Sequence, residues 1–202
     1  MTDVLIILFD YLGTFAFAVS GGLAAAEKKF DLFGALFLGF VTAIGGGTTR
    51  DMMIGNTPVS WLQDPAYFYI IVVAVSLTCL FTKTILRFSK ALFFFDTIGI
   101  SVFTIIGIQK GVHVGIHPPL AVMMGILTAV MGGIIRDVLC NEIPLIFHKE
   151  IYATACLAGG VLFVLFVFLN VPEPFTALIA AGVIFTVRSL SVRKGWELPR
   201  FK

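Results

Sequence analysis

Charge is scarce in this sequence. Asp, Glu, Lys and Arg make up 13% of 202 residues, and 14 basic against 12 acidic side chains leave a formal net charge of +2. No long basic run occurs, so nucleic-acid binding has no electrostatic footing. Cysteine is also rare: there are three residues and no CxxC. Cys79 and Cys156 lie inside apolar runs and Cys140 follows a charged pair, which reads as small buried thiols rather than a zinc site. His113, His117 and His148 stand near expected helix ends without an HExxH pattern, and no metal is assigned to them. The Walker and GxGxxG phosphate loops, GxSxG, a protease-like pair of intramembrane aspartates and a histidine base beside a nucleophile are all missing, so neither a nucleotide site, a resident cofactor nor an enzyme is expected.

What the sequence has is apolar surface. Hydrophobic residues make up 58% and the mean hydropathy is +1.01. A soluble protein of this size would expose large apolar patches, so the bilayer is its solvent. Seven stretches approach the ~20 residues needed to cross ~30 Å of hydrocarbon. They fall at about residues 4–25, 32–55, 65–87, 91–109, 117–139, 149–170 and 174–190. Short polar turns separate them, among them Glu27-Lys28-Lys29, Asn56-Thr57-Pro58, His117-Pro118-Pro119 and Pro172-Glu173-Pro174. The first stretch ends in Ala24-Ala25-Ala26, in the manner of a cleavage site, but it opens with Asp3 and no Lys or Arg, and reads as a span. The expectation is one all-α transmembrane domain.

Sliding the chain against itself by 86 positions exposes an internal repeat. Phe9, Asp10, Gly13, Phe17 and Gly21 fall on Phe95, Asp96, Gly99, Phe103 and Gly107; Ala35, Gly39, Thr42, Ala43, Gly46, Gly47, Arg50, Asp51 and Pro58 fall on Ala121, Gly125, Thr128, Ala129, Gly132, Gly133, Arg136, Asp137 and Pro144. Apolar matches arise by chance between membrane helices, whereas paired Asp, Arg-Asp, Gly-Gly and Pro in one register do not. Repeat 1 covers about residues 4–87, repeat 2 about 91–170 and a seventh helix about 174–190. Three spans per copy force the second copy to cross the membrane upside down, giving an inverted 3+3 architecture. With the N-terminus on one side, Lys28, Lys29, Lys83, Arg87, Lys90, Lys149, Arg193, Lys194, Arg200 and Lys202 fall on the other, which is then cytoplasmic; Arg50 and Lys110 are nearly the only positive charges toward the outside.

Chemistry concentrates in the run Gly45-Gly46-Gly47-Thr48-Thr49-Arg50-Asp51 of the second span and its counterpart Gly132-Gly133-Ile134-Ile135-Arg136-Asp137 in the fifth. Consecutive glycines weaken a helix by about 1 kcal/mol each relative to Ala. A broken helix with carbonyls facing a wet pathway is expected at Gly45 to Gly47 and at Gly132-Gly133, as in carriers with inverted repeats; plain close packing of small residues is the alternative. Charges this deep cost ~2.5–3.5 kcal/mol each on insertion scales. Neighbouring side chains point about 100° apart, so Arg50 is not expected to neutralise Asp51 simply, nor Arg136 Asp137. Depth matches Arg50 with Asp10 and, by the repeat, Arg136 with Asp96, with Asp51 and Asp137 as the alternative partners. These contacts are either structural salt bridges or charged gates on a conduit, to which Thr14, Ser20, Thr42, Thr48, Thr49, Ser101, Thr104 and Thr128 add polar groups. Trp61-Leu62-Gln63-Asp64-Pro65, with Tyr67 and Tyr69, reads as an interfacial anchor.

Gly45 to Asp51, Pro58, Trp61 to Pro65, and the second-half Gly132-Gly133 with Arg136-Asp137 together resemble the prokaryotic members of the trimeric intracellular cation (TRIC) channel family, and the resemblance covers about residues 4–190. It implies a seven-helix protomer, a homotrimer in the bacterial inner membrane, and a monovalent-cation pore inside each protomer. Potassium is expected as the permeant ion from the resemblance and from abundance. The animal members carry a basic lipid-binding stretch on the fifth helix that has no clear equivalent here. Other bacterial proteins of the same broad family move small amino acids, so a small-solute secondary transporter of the same architecture is the second reading.

Overall fold

The computed structural model of the chain describes residues 2–85, 90–149 and 151–197. Its order is α1 (Thr2–Glu27), α2 (Leu32–Met53), the short α3 (Ser60–Gln63), α4 (Ala66–Ile85), α5 (Ala91–His113), α6 (Pro118–Leu139), a 3-10 turn at Leu145–Phe147, α7 (Ala153–Phe168) and α8 (Glu173–Lys194). Five helices are long and apolar enough to cross a membrane; α4 and α7 carry the shorter apolar stretches Ala66–Thr82 and Ala153–Phe168. The seven spans are these, with α3 and the 3-10 turn as matching short elements after α2 and α6. The sixth span begins later than the expected 149, because Pro144 opens the 3-10 turn and helix resumes only at Ala153. Of the charges that set the orientation, Arg87, Arg200, Lys202 and the Lys83 side chain lie outside the described residues.

Local signals fix the helix ends. The Asp31 side chain accepts the Gly34 N–H at 2.6 Å and caps α2. Prolines occupy the first turn of α6 and of α8, where a missing N–H costs nothing. Gly195 ends α8 with φ +63°, a left-handed cap that a side chain would strain.

Packing repeats with the 86-residue register. Helices α1 and α5, repeat mates, lie against each other, as do α2 and α6; α4 flanks α1 and α2, while α7 flanks α6 and α8 covers α5. A Cβ placed on Gly21 would meet the Gly39 Cα at 2.6 Å, and one on Gly107 would meet the Gly125 Cα at 2.7 Å. Phe17 crowds Gly99, and Phe103 lies against Gly13. The two rings are mates themselves, with centroids 5.3 Å apart at the middle of the bundle.

The helix-break expectation is corrected here. Both α2 and α6 run as unbroken helix through Gly45, Gly46 and Gly47 and through Gly132 and Gly133. A Cβ on Gly46 would lie 1.9 Å from the Thr128 carbonyl oxygen, and one on Gly132 would lie 2.2 Å from that of Thr42. The glycines lower the steric barrier where α2 crosses α6, which is the close approach small residues provide in membrane helices. Apolar side chains face outward along the spans, including Phe68 and Leu80 of α4, Leu120 and Met123 of α6 and Val161 of α7. Cys79 lies on that outward face of α4 and is exposed, unlike Cys140 and Cys156, because its helix turns the neighbouring Thr78 inward instead.

Candidate functional site

Two clusters of buried charge lie on the α1/α2/α5/α6 seam, one toward each end of the bundle. The first gathers Asp10, Arg50 and Asp51. Arg50 folds back on its own neighbour: its Nε donates to Asp51 Oδ1 at 2.8 Å, and Nη2 is also 2.8 Å from that oxygen. Asp51 Oδ2 accepts from the Ser60 N–H at 2.8 Å and from the Ser60 hydroxyl at 2.6 Å, and so holds the start of α3. Lys110 reaches in from the end of α5, 3.0 Å from Ser60 Oγ and 3.7 Å from Asp51.

The second cluster repeats this unit. Arg136 Nε donates to Asp137 Oδ1 at 2.8 Å, and Asp137 Oδ2 accepts from the Leu145 N–H at 3.0 Å, holding the 3-10 turn as Asp51 holds α3. The neighbour pairing departs from the expectation drawn from side-chain directions on a helix. Those directions govern Cβ, whereas the long guanidinium stem can curl round to the next carboxylate.

The partners across helices then differ between the halves. Arg136 Nη1 reaches Asp96 Oδ1 at 2.9 Å and also donates to the Ser20 hydroxyl, so the expected Arg136–Asp96 contact is present. Arg50 does not form an ion pair with Asp10. Both instead line a small, water-sized cavity of about 20 Å³, together with Thr14, Ser60, Trp61 and Tyr67, and Phe103 closes it toward the middle of the bundle. Arg50 Nη1 is buried there without a hydrogen-bond partner.

Of the other polar residues expected along a conduit, most do not gather. Thr42, Thr49, Ser101, Thr104 and Thr128 each donate to a carbonyl four residues back on their own helix. The Thr48 hydroxyl accepts from the Trp61 indole N–H at 3.0 Å, and that ring stands edge-on to Phe40, which ties the loop after α2 to the bundle. Only Thr14 and Ser20 belong to the clusters.

Sequence reasoning missed Arg188. It comes from α8 and is 1% exposed; Nη2 lies 2.9 Å from Asp96 Oδ2 and Nε donates to Thr97 Oγ1 at 2.9 Å. Its guanidinium sits over the Tyr152 ring at 4.1 Å and the Phe93 ring at 5.0 Å. The signal was available, since a lone Arg inside an apolar span needs a partner. Among the described residues, no three His, Cys, Asp or Glu side chains gather as metal ligands.

Outside the spans, Lys28 in the α1–α2 loop pairs with Glu142 after α6 and ties the two halves at one end. That hydrogen bond raises the Lys28 pKa above its ordinary value and lowers that of Glu142.

The chain is similar to known membrane proteins over nearly its whole length. A family model described as "Glycine transporter" matches the chain twice, over residues 7–83 and 93–168. The inner membrane protein YadS of Escherichia coli (strain K12) is 40% identical over 200 residues, 98% of this chain and 97% of that protein. The membrane protein YvgT of Bacillus subtilis (strain 168) is 38% identical over 195 residues, 95% of this chain and 94% of that protein. The solved TRIC trimeric intracellular cation channel orthologue from Rhodobacter sphaeroides matches with a TM-score of 0.90 at 35% identity, over 95% of this chain and 98% of that one. A prokaryotic TRIC channel solved in 0.5 M KCl gives a TM-score of 0.90 at 30% identity, over 98% and 100%. The chain thus belongs to the family that the glycine-transporter model describes, the family of the prokaryotic TRIC channels.

Proposed function

We propose that the protein is a monovalent-cation channel, assembled as a homotrimer in the bacterial inner membrane, with one ion path inside each protomer and potassium as its physiological ion. The likeness to solved TRIC channels over nearly the whole chain carries this reading. The buried clusters support the position of the path: the buried Arg–Asp groups lie on the α1/α2/α5/α6 seam, joined at one end by Arg188 from α8, while the outward faces are largely apolar. Entry on the N-terminal side is at the Asp10 cavity; the Asp96 cluster guards the other end, and Phe17 with Phe103 closes the middle. Arg50–Asp51 and Arg136–Asp137 hold the short elements over each mouth, so they act as hinged supports of the gates. Charges at Lys28, Lys29, Lys90, Lys149, Arg193 and Lys194 favour a cytoplasmic C-terminal side and an outward N-terminus.

A second reading, a small-solute carrier, is favoured by the description of the matching family model. Purified protein in planar bilayers separates the two. Steady cation current that follows the voltage supports the channel; saturable uptake of a small amino acid, driven by a gradient and without such current, supports the carrier and removes the channel. In the channel, Asp10→Asn lowers current, because it removes the carboxylate that draws cations to the mouth.

A further inference from the structure

Every charged residue of the Asp96 cluster has a mate 86 positions away except one. Asp96 answers to Asp10, Arg136 to Arg50 and Asp137 to Asp51, and Tyr152 lies one residue off the register from Tyr67. Arg188 has no mate, because α8 stands outside the repeat. In the first half the corresponding space beside Asp10 is a small, water-sized cavity. In the second half a guanidinium fills it.

We propose that Arg188 is a tethered cation, occupying a cation site of the second half and closing the path there. This rests on the channel reading for its effect on flux, though not for the site itself. Charge balance supports it. Without Arg188, the buried groups Asp96, Asp137 and Arg136 sum to one negative charge, as do Asp10, Asp51 and Arg50 in the first half. There the balancing cation is Lys110, half-buried at the rim rather than lodged beside Asp10. The surroundings of Arg188 are those of an organic-cation site: a carboxylate oxygen, a threonine hydroxyl and two aromatic faces. A purely structural tie is a poorer account, because Asp96 already holds a guanidinium partner in Arg136 through its other oxygen.

The test compares wild type, Arg188→Ala and Arg188→Lys, purified in detergent and in potassium-loaded liposomes. Arg188→Ala should raise cation flux by about fivefold or more, the low end of coupling between linked sites. Millimolar guanidinium should suppress that flux and raise the melting temperature of Arg188→Ala, leaving wild type and Arg188→Lys unchanged in both. Wild-type flux in Arg188→Ala together with no guanidinium effect on flux or melting would overturn the proposal. Absence of flux from all three proteins, with guanidinium still stabilising Arg188→Ala alone, would retire the channel reading and retain the tethered cation. Should Arg188→Ala not accumulate, Arg188→Gln, uncharged but still a donor toward Thr97, carries the flux comparison: raised flux supports the plug and wild-type flux removes it.

Discussion

Gly46 packs its bare Cα against the carbonyl of Thr128 so closely that a Cβ there would lie 1.9 Å from the oxygen, and Gly132 does the same to Thr42 with 2.2 Å. The obstacle is helical backbone, which cannot rotate aside as a side chain can. Gly46→Ala and Gly132→Ala should therefore force α2 and α6 apart and each cost at least about 1–3 kcal/mol, the usual range for overpacking. Gly47→Ala is the control, since the nearest atom to its added Cβ is the Arg50 side chain at 3.6 Å. Thermal unfolding in detergent would check this; equal melting temperatures for Gly46→Ala and Gly47→Ala would show that the crossing tolerates separation.

The fold-back of Arg50 onto Asp51 makes the pair and the α3 start one unit. Asp51→Asn should cost about 3–5 kcal/mol, because it strands a buried guanidinium. Replacing both partners together with apolar side chains of similar size, Arg50→Met with Asp51→Leu, should cost less than the two single changes summed. The double-mutant cycle of Arg50→Met and Asp51→Leu, read by thermal unfolding, measures that coupling. Additive losses would mean that the two side chains act independently.

Much of this was legible in the sequence, for identifiable reasons. The spans and the 86-residue register could be read because Asp10/Asp96, Arg50/Arg136 and Pro58/Pro144 are polar or rigid residues that chance seldom aligns in membrane helices. The state of the glycine runs could not. A run such as Gly45-Gly46-Gly47 permits a break and also permits a close crossing, and what decides is a second glycine helix arriving from 86 residues away. The Arg–Asp pairing was hidden for a different reason: the direction of Cβ says little about where a long, flexible side chain ends. Arg188 was hidden because the repeat singles out residues that have mates, and α8 has none.

The link between the halves at Lys28 and Glu142 gives a pH dependence with a definite sign. Glu142 has its folded pKa lowered from the ordinary 4.5, so its contribution is fully present above that value and is lost as pH falls through the lowered one. Lys28 has its pKa raised from 10.5, so its contribution is present below that value and is lost as pH rises through the raised one. The melting-temperature difference between wild type and Glu142→Gln should thus be constant across neutral pH, disappear at low pH and shrink with added salt, since the pair is exposed. A difference that grows on acidification would contradict the pairing.

Phe17 and Phe103 lie between the two charge clusters, each pressed against the other's repeat helix, at Gly99 and Gly13. An apolar constriction of this kind blocks ions by excluding water, without any charged barrier. Phe103 also forms the closed end of the Asp10 cavity, so it is the ring that a cation entering from that side would meet. Two effects of truncation follow and pull in opposite directions. Phe103→Ala should lower stability by about 3–5 kcal/mol through the void it leaves, and should raise cation flux by letting water bridge the clusters. Phe103→Leu, which keeps the constriction apolar and nearly filled, should lose less stability and leave flux near wild type. Stopped-flow flux into liposomes, measured beside thermal unfolding for both variants, distinguishes a plug from plain core: unchanged flux in Phe103→Ala, with only the stability loss, would place the ion path somewhere other than between these rings.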